Sequence, residues 1–384
     1  MNPLYANLPT TIFTRMSALA AEHDAVNLGQ GFPDFGWPED VVRRAAEALS
    51  GSNQYAPMPG LPHLREAVAG HYRRHQGLEL DPETVTITSG ATEALAAALL
   101  ALITPGDEVL LFQPLYDAYL PLVLRAGGVP RYVRLTPPEW RITAEALAAA
   151  FTPRTRLVLF NNPHNPSGRV FDDGELALLA RACVEHDAVA LTDEVWEHVV
   201  FDGRAHRPLA AFPGMAGRTV KVGSAGKIFS LTGWKIGWAV APFGLAEPIR
   251  KAHQFLTFST APNLQAAVAY GLAKEDGYFA EMRAAFAGAR DRLSSGLAEV
   301  GFSVLPAEGT YFLSVDLAAS GIEAGDLAFC ERAVREARVA AIPVSTFYAE
   351  DPVTTVVRLC FAKTRETLDR GIERMRAAKR LFAG

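Results

Sequence analysis

From Thr84 onward the chain alternates short apolar runs with longer stretches whose apolar residues recur at helical spacing. The short runs, rich in Val, Leu, Ile and Thr, predict strands at 84–88, 108–112, 130–135, 156–160, 188–192, 219–222 and 236–241. Helices predicted at 91–102, 143–151 and 173–186 separate some of them. Strands alternating with helices define an α/β fold, here a seven-stranded, mostly parallel sheet covered on both faces. A short link containing glycine joins the last two strands, which allows the final strand to run antiparallel. Ahead of this region lie helices at 12–22 and 38–49 and the loop NLGQGFPDFGWPED. After Pro248 the pattern is helical to about 299. Strand-like segments then follow at 302–306, 311–317, 339–345 and 356–361, with helices near 325–338 and from 364. This second alternation predicts a smaller α+β domain. The expected division is an N-terminal arm and part of the small domain (1–40), a large domain (41–280) and a C-terminal small domain (281–384).

Composition narrows the picture by exclusion. The 384 residues are 49% hydrophobic and 21% charged, with a formal net charge of −5. That balance suits an ordinary globular protein and makes no electrostatic case for nucleic acid or an anionic membrane. No apolar run is long enough to span a bilayer, and the first twenty residues lack the basic and apolar regions of a signal peptide. Cys183, Cys330 and Cys360 are scattered, which argues for a reducing compartment, by default the cytoplasm, rather than a disulfide framework or a zinc site.

The candidate chemistry collects around Thr219–Trp238. No lysine occurs before Lys221, so arginine carries every earlier positive side-chain charge except histidine's. Lys227 then follows the small-residue turn Gly223–Gly226. Lysine, unlike arginine, supplies a deprotonatable amine able to form a Schiff base. In an open α/β sheet, ligands gather beyond the carboxyl ends of the strands, and several other residues fall there. Gly90 and Ala91 stand where a strand gives way to a helix, suited either to a phosphate or to simple capping by Ser89 or Thr92. Tyr116 offers an aromatic plate or a rim tyrosine. NNPHNPSG (161–168) presents Asn165 from a turn-rich loop that is structural or functional. Asp193 ends an apolar strand and needs a cationic or protonated partner, either an arginine or a pyridinium nitrogen. Arg358 lies on another apolar strand and should grip a carboxylate, from the protein or from a substrate. The spacing of His164, His198 and His206 predicts no metal, and the Gly29–Gly31 pair lacks a dinucleotide-binding context. Pyridoxal phosphate answers all the positive features together, because it needs an amine, phosphate donors, a carboxylate at its ring nitrogen and a plate for its ring.

The motifs NLGQGFPDF, SGATEAL, NPHNPSG, TDEVWEH, SAGKIFSLTGWKIGW, EGTYFL and VRLCFAK run nearly end to end. Together they resemble the fold-type I, class I aminotransferases that use pyridoxal phosphate. The stretches GQGFPDF and PVSTFY are most similar to the methionine aminotransferase and kynurenine–oxoglutarate (glutamine K) transaminase subgroup. The resemblance implies that Lys227 carries the cofactor and shuttles the substrate proton, while Asp193 keeps the ring nitrogen protonated. It also implies that Asn165 binds the phenolic oxygen and Tyr116 stacks on the ring. Gly90, Ala91, Ser224 and Lys235 would hold the phosphate, with Tyr55 reaching across from the other subunit of a homodimer. Arg358, with Gly31 and Asn165 nearby, would bind the substrate carboxylate. Trp196 departs from the pattern, since relatives usually carry tyrosine there and indole is a donor only.

The resemblance thus implies amino transfer from a hydrophobic, aromatic or sulfur-containing L-amino acid, such as methionine, glutamine, phenylalanine or kynurenine, to a 2-oxo acid by a ping-pong mechanism. The alternative on the same fold is a cysteine-S-conjugate β-lyase. A catalytically inert sensor would be expected to carry an appended DNA-binding domain and to dispense with Lys227 or Arg358.

Overall fold

The computed structural model describes residues 1–382. Its main sheet is built from β2 (Val85–Ser89), β3 (Glu108–Gln113), β4 (Val129–Arg134), β5 (Thr155–Asn161), β6 (Val189–Asp193), β7 (Thr219–Ser224) and β8 (Ile236–Val240). A two-residue strand, β1 (Val26–Asn27), precedes them in the chain. The seven strands lie in the order β2-β8-β7-β6-β5-β3-β4. Strands β7, β6, β5, β3 and β4 pair in parallel, whereas β8 runs antiparallel to both β7 and β2. The seven expected strands are therefore present, each within two residues of its expected ends. The central ones are wholly buried, as a sheet covered on both faces requires.

Besides the five-residue Pro3–Asn7, two helices in the first half of the chain escape the pattern reading. One is Pro62–Gln76, which opens on proline and closes on Gly77 in a left-handed conformation (φ 66°). The other is the short Tyr119–Arg125. The helical stretch expected after Pro248 begins earlier, at Phe243, and the proline sits inside the helix Phe243–Leu256. Pro248 falls in the second turn, so the loss is a single intrahelical hydrogen bond.

A four-stranded sheet, in the order β12-β13-β10-β9, gathers the later segments. Its members are β9 (Ser303–Val304), β10 (Phe312–Asp316), β12 (Ile342–Pro343) and β13 (Val356–Cys360). The expected strand at 339–345 divides: β11 (Val339–Ala340) pairs instead with β1, joining the N-terminal segment to the C-terminal one. The helix expected at 325–338 is Asp326–Arg332 followed by a π-turn to Ala337. Residue 280, the expected boundary between domains, lies within the unbroken helix Asp276–Glu299. Among the described residues no helix is long and apolar enough to cross a membrane. The three cysteines are free and buried.

Candidate active site

Strands β5, β6 and β7 end in Asn161, Asp193 and Ser224, and Asn161 is in register with Asp193. A cavity of about 230 Å³ opens at this edge. It is bordered by every predicted site residue except Tyr55. Tyr55 is 84% exposed and packs edge-on to Phe258, with ring centroids 5.5 Å apart.

Asp193 is buried, and burial pushes its carboxyl pKa up. The Tyr119 hydroxyl donates to its Oδ2 at 2.6 Å, and the Val195 N–H reaches Oδ1 at 3.4 Å. No arginine salt bridge forms at Asp193 among the described residues, so its hydrogen-bonding partners are neutral. A buried carboxylate in that condition favours a cation placed in the cavity.

Lys227 stands in the single helical turn Ala225–Ile228 that follows β7. Its Nζ donates to the Tyr311 hydroxyl at 3.2 Å and lies 4.9 Å from the centre of the Trp196 ring. Desolvation lowers the amine to about 8, partly countered by Asp193. About a tenth of the amine is then neutral at pH 7, far more than for an ordinary lysine, which favours its use as a nucleophile or base. Trp196 is buried and edge-on to Tyr311, with centroids 4.3 Å apart.

Gly90 opens the 13-residue helix Gly90–Leu102 with φ +73°, where Ser89 makes no side-chain cap. A Cβ on Gly90 would lie 3.0 Å from Lys235 Nζ, so only glycine leaves that space free at this backbone angle. A helix N-terminus facing an ammonium group is an anion cradle, and it borders the same cavity as Lys227.

Arg358 is completely buried on β13, and desolvation lowers its pKa to about 10. Its Nη1 donates to Asn165 Oδ1 at 2.9 Å and its Nη2 to Gly29 O at 3.1 Å. The Phe312 ring lies 3.8 Å from the guanidinium carbon, while Nε has no partner and no carboxylate pairs with the group among the described residues. A guanidinium held against an aromatic ring with no carboxylate partner, beside a cavity, is ready for an incoming carboxylate. Asn161 fixes the loop that carries Asn165: its amide donates to Asp193 O at 2.8 Å, and its carbonyl accepts from Asn165 N at 2.7 Å.

Tyr119, Asn161 and Tyr311 were not predictable from the motifs, because each acts through a neighbour brought near by the fold. A partial signal exists for Tyr119, which follows Tyr116 at helical spacing just beyond a strand end.

A lysine, an anion cradle, a buried carboxylate and a carboxylate-binding arginine on one cavity of an α/β sheet define a site for pyridoxal phosphate chemistry on amino acids. The chain belongs to the aminotransferase class I and II family, whose model matches residues 23–375. It is 44% identical over 371 residues to methionine aminotransferase of Escherichia coli (strain K12), covering 96% of each chain. It is 37% identical to human kynurenine–oxoglutarate transaminase 1 over 396 residues, 94% of each chain. The solved structure of N-succinyldiaminopimelate aminotransferase from Mycobacterium tuberculosis superposes with a TM-score of 0.95 at 45% identity, covering 98% of this chain and 100% of that one. The protein is thus a fold-type I aminotransferase, and its family implies pyridoxal phosphate as cofactor.

Proposed function

We propose that this enzyme moves the amino group of a hydrophobic, aromatic or sulfur-containing L-amino acid, of the methionine, glutamine, phenylalanine or kynurenine type, to a 2-oxo acid in two half-reactions. The observation that carries the reading is the set of cations on the cavity. Lys227, Lys235 and Arg358 are the lysines and arginines that border it among the described residues. Each is committed, to the cofactor aldehyde, the phosphate and the α-carboxylate respectively. That leaves none for an acidic donor side chain, whereas Phe13, Leu95 and Phe312 supply apolar wall. The names of the Escherichia coli and human relatives support the same donor class.

In this reading Gly90, Ala91, Ser224 and Lys235 hold the phosphate, Tyr116 stacks on the ring, and Asn165 faces the phenolic oxygen. Asp193 keeps the ring nitrogen protonated, with Trp196 on the adjoining wall. The bound cofactor supplies an electron sink for the pair left when the substrate Cα–H bond breaks. Lys227 Nζ removes that proton, and Arg358, Asn165 and Gly31 orient the α-carboxylate so that the Cα–H bond faces it. Tyr55 contributes to the phosphate site of a partner subunit in a homodimer, a role supported by its exposure and by the exposed Phe255 and Phe258. The enzyme works in the cytoplasm.

The decisive experiment adds methionine, without acceptor, to the enzyme loaded with pyridoxal phosphate. The visible cofactor band should give way to a near-ultraviolet band and return on addition of a 2-oxo acid. A second reading follows from the Mycobacterium tuberculosis neighbour, namely transfer from N-succinyl-diaminopimelate. A band that ignores methionine, phenylalanine and kynurenine but responds to that compound would select it. Pyruvate released from a cysteine conjugate without acceptor would reveal lyase chemistry.

A further inference from the structure

Tyr311 lies outside every role assigned above, yet its hydroxyl touches Lys227. The residue is fully buried at the start of the segment leading into β10. Its Oη donates to the carbonyl of Gly31 at 2.7 Å and accepts from Lys227 Nζ at 3.2 Å. The single phenolic proton is committed to Gly31, so Tyr311 faces the lysine as an acceptor only. An acceptor at that point fixes one N–H of a free Lys227 amine and limits the directions its lone pair can take.

The same hydroxyl is joined to Arg358 through the backbone of the 29–31 loop. Gly31 lies two residues from Gly29, whose carbonyl accepts from Arg358, and Arg358 donates in turn to Asn165. Asn27 Oδ1 braces the intervening loop by accepting from Gly29 N at 3.0 Å and Gln30 N at 3.1 Å. The loop cannot move toward β10 with a larger residue in place, since a Cβ on Gly31 would lie 2.7 Å from Phe312 Cζ.

We infer that Tyr311 is a positioning residue for Lys227: it holds the released amine by one N–H and ties its orientation to the 29–31 loop that meets the substrate carboxylate. This rests on the assignment of Lys227 as the base in amino transfer. The hydroxyl beside the lysine thus comes from Tyr311, where Trp196 has none to offer.

Three variants test it: Tyr311→Phe, which keeps the ring against Trp196, Tyr311→Leu, which does not, and Lys227→Ala as the control for the base. The half-reaction with methionine is followed in the loaded enzymes using protiated and Cα-deuterated donor. Separately, the pH dependence of Lys227 acylation by acetic anhydride is measured in the cofactor-free proteins, a readout that needs no turnover. An acceptor stabilises the ammonium form, so its loss should move the Lys227 titration downward from about 8. Tyr311→Phe should also slow the half-reaction about tenfold, enlarge the deuterium effect and leave the donor concentration for half-saturation within about twofold.

A Tyr311→Phe enzyme with wild-type rate, isotope effect and titration overturns the inference. So does a loss shared equally by the Phe and Leu variants with an unmoved titration, which would mean packing alone. Failure of the wild-type half-reaction with every donor would instead count against the aminotransfer reading, because the titration is read without substrate.

Discussion

At the scale of single residues the site is governed by what burial does to charge. Asp193 is costly to ionise where it lies, and the Tyr119 hydroxyl at 2.6 Å offsets part of that cost. Tyr119→Phe removes the donor and raises the carboxyl further, weakening its hold on a protonated ring nitrogen. A hydrogen bond to a charged group contributes about 1.5–3 kcal/mol, so kcat/KM should fall at least about tenfold. Steady-state kinetics check this, and an unchanged value would mean that the ring alone keeps Asp193 ionised. Trp196 is a second case. Its indole packs edge-on against Tyr311 and faces the Lys227 amine, an apolar contact where a tyrosine would offer a hydroxyl. Wild-type enzyme should therefore show a higher Schiff-base pKa than Trp196→Tyr, and superimposable spectral titrations would contradict that. Lys227, Asp193, Asn165 and Arg358 were legible as candidates because a charge or amide next to an apolar run needs a reason. Tyr119 and Tyr311 were not, since a buried tyrosine carries no such contradiction in sequence.

At the scale of elements, periodicity located strands better than helices. The central strands of the main sheet are compact apolar runs, whereas Pro62–Gln76 shows only a narrow stripe at Leu64, Val68 and Tyr72. Its clearer signals were Pro62 at the first helical position and Gly77 after the last turn. The turn after β6 also hides its fastening. Behind the cofactor face, Glu194 and Glu197 converge on Lys221 of β7, with Glu197 2.9 Å from its Nζ. His206 reaches Glu194 at 2.7 Å, and the ammonium lies 4.6 Å from the Tyr72 ring centre. Lys221, Glu194 and Glu197 are all buried. The cluster ties the turn carrying Trp196 to the strand that leads to Lys227. Lys221→Met should destabilise the protein by about 3–5 kcal/mol, because two buried carboxylates lose their cation. Urea unfolding reads that directly, and an unshifted midpoint would show that the carboxylates are stabilised without Lys221.

At the scale of the whole molecule, the α/β class and the antiparallel final strand followed from alternation and link length. The pairing of β1 with β11 did not, because two-residue strands carry no period and their partners lie more than 300 residues apart. Such distant contacts also bury histidines, and this sets how the molecule responds to acid. His71 and His198 are hydrogen-bonded, Nε2 to Nε2 at 2.7 Å, and His164 bonds Ser167 within the NPHNPSG loop. Burial pushes His71 down to about 3, His164 down to about 4 and His198 well below its ordinary range. In the unfolded chain all three titrate near 6.5. Their folded values are depressed, so the stability they confer is present above about 6.5 and is lost as pH falls toward the folded values. Each contributes up to about 1.4 kcal/mol per pH unit in that window. Glu194 adds a later loss: burial alone would raise it, but Lys221 and His206 hold it at about 2, so its contribution fades from about 4.5 downward. The thermal midpoint should therefore begin to drop near pH 6.5 and steepen below about 4.5. A midpoint flat from pH 7 to 5 would mean that the buried histidines already accept protons in the native state.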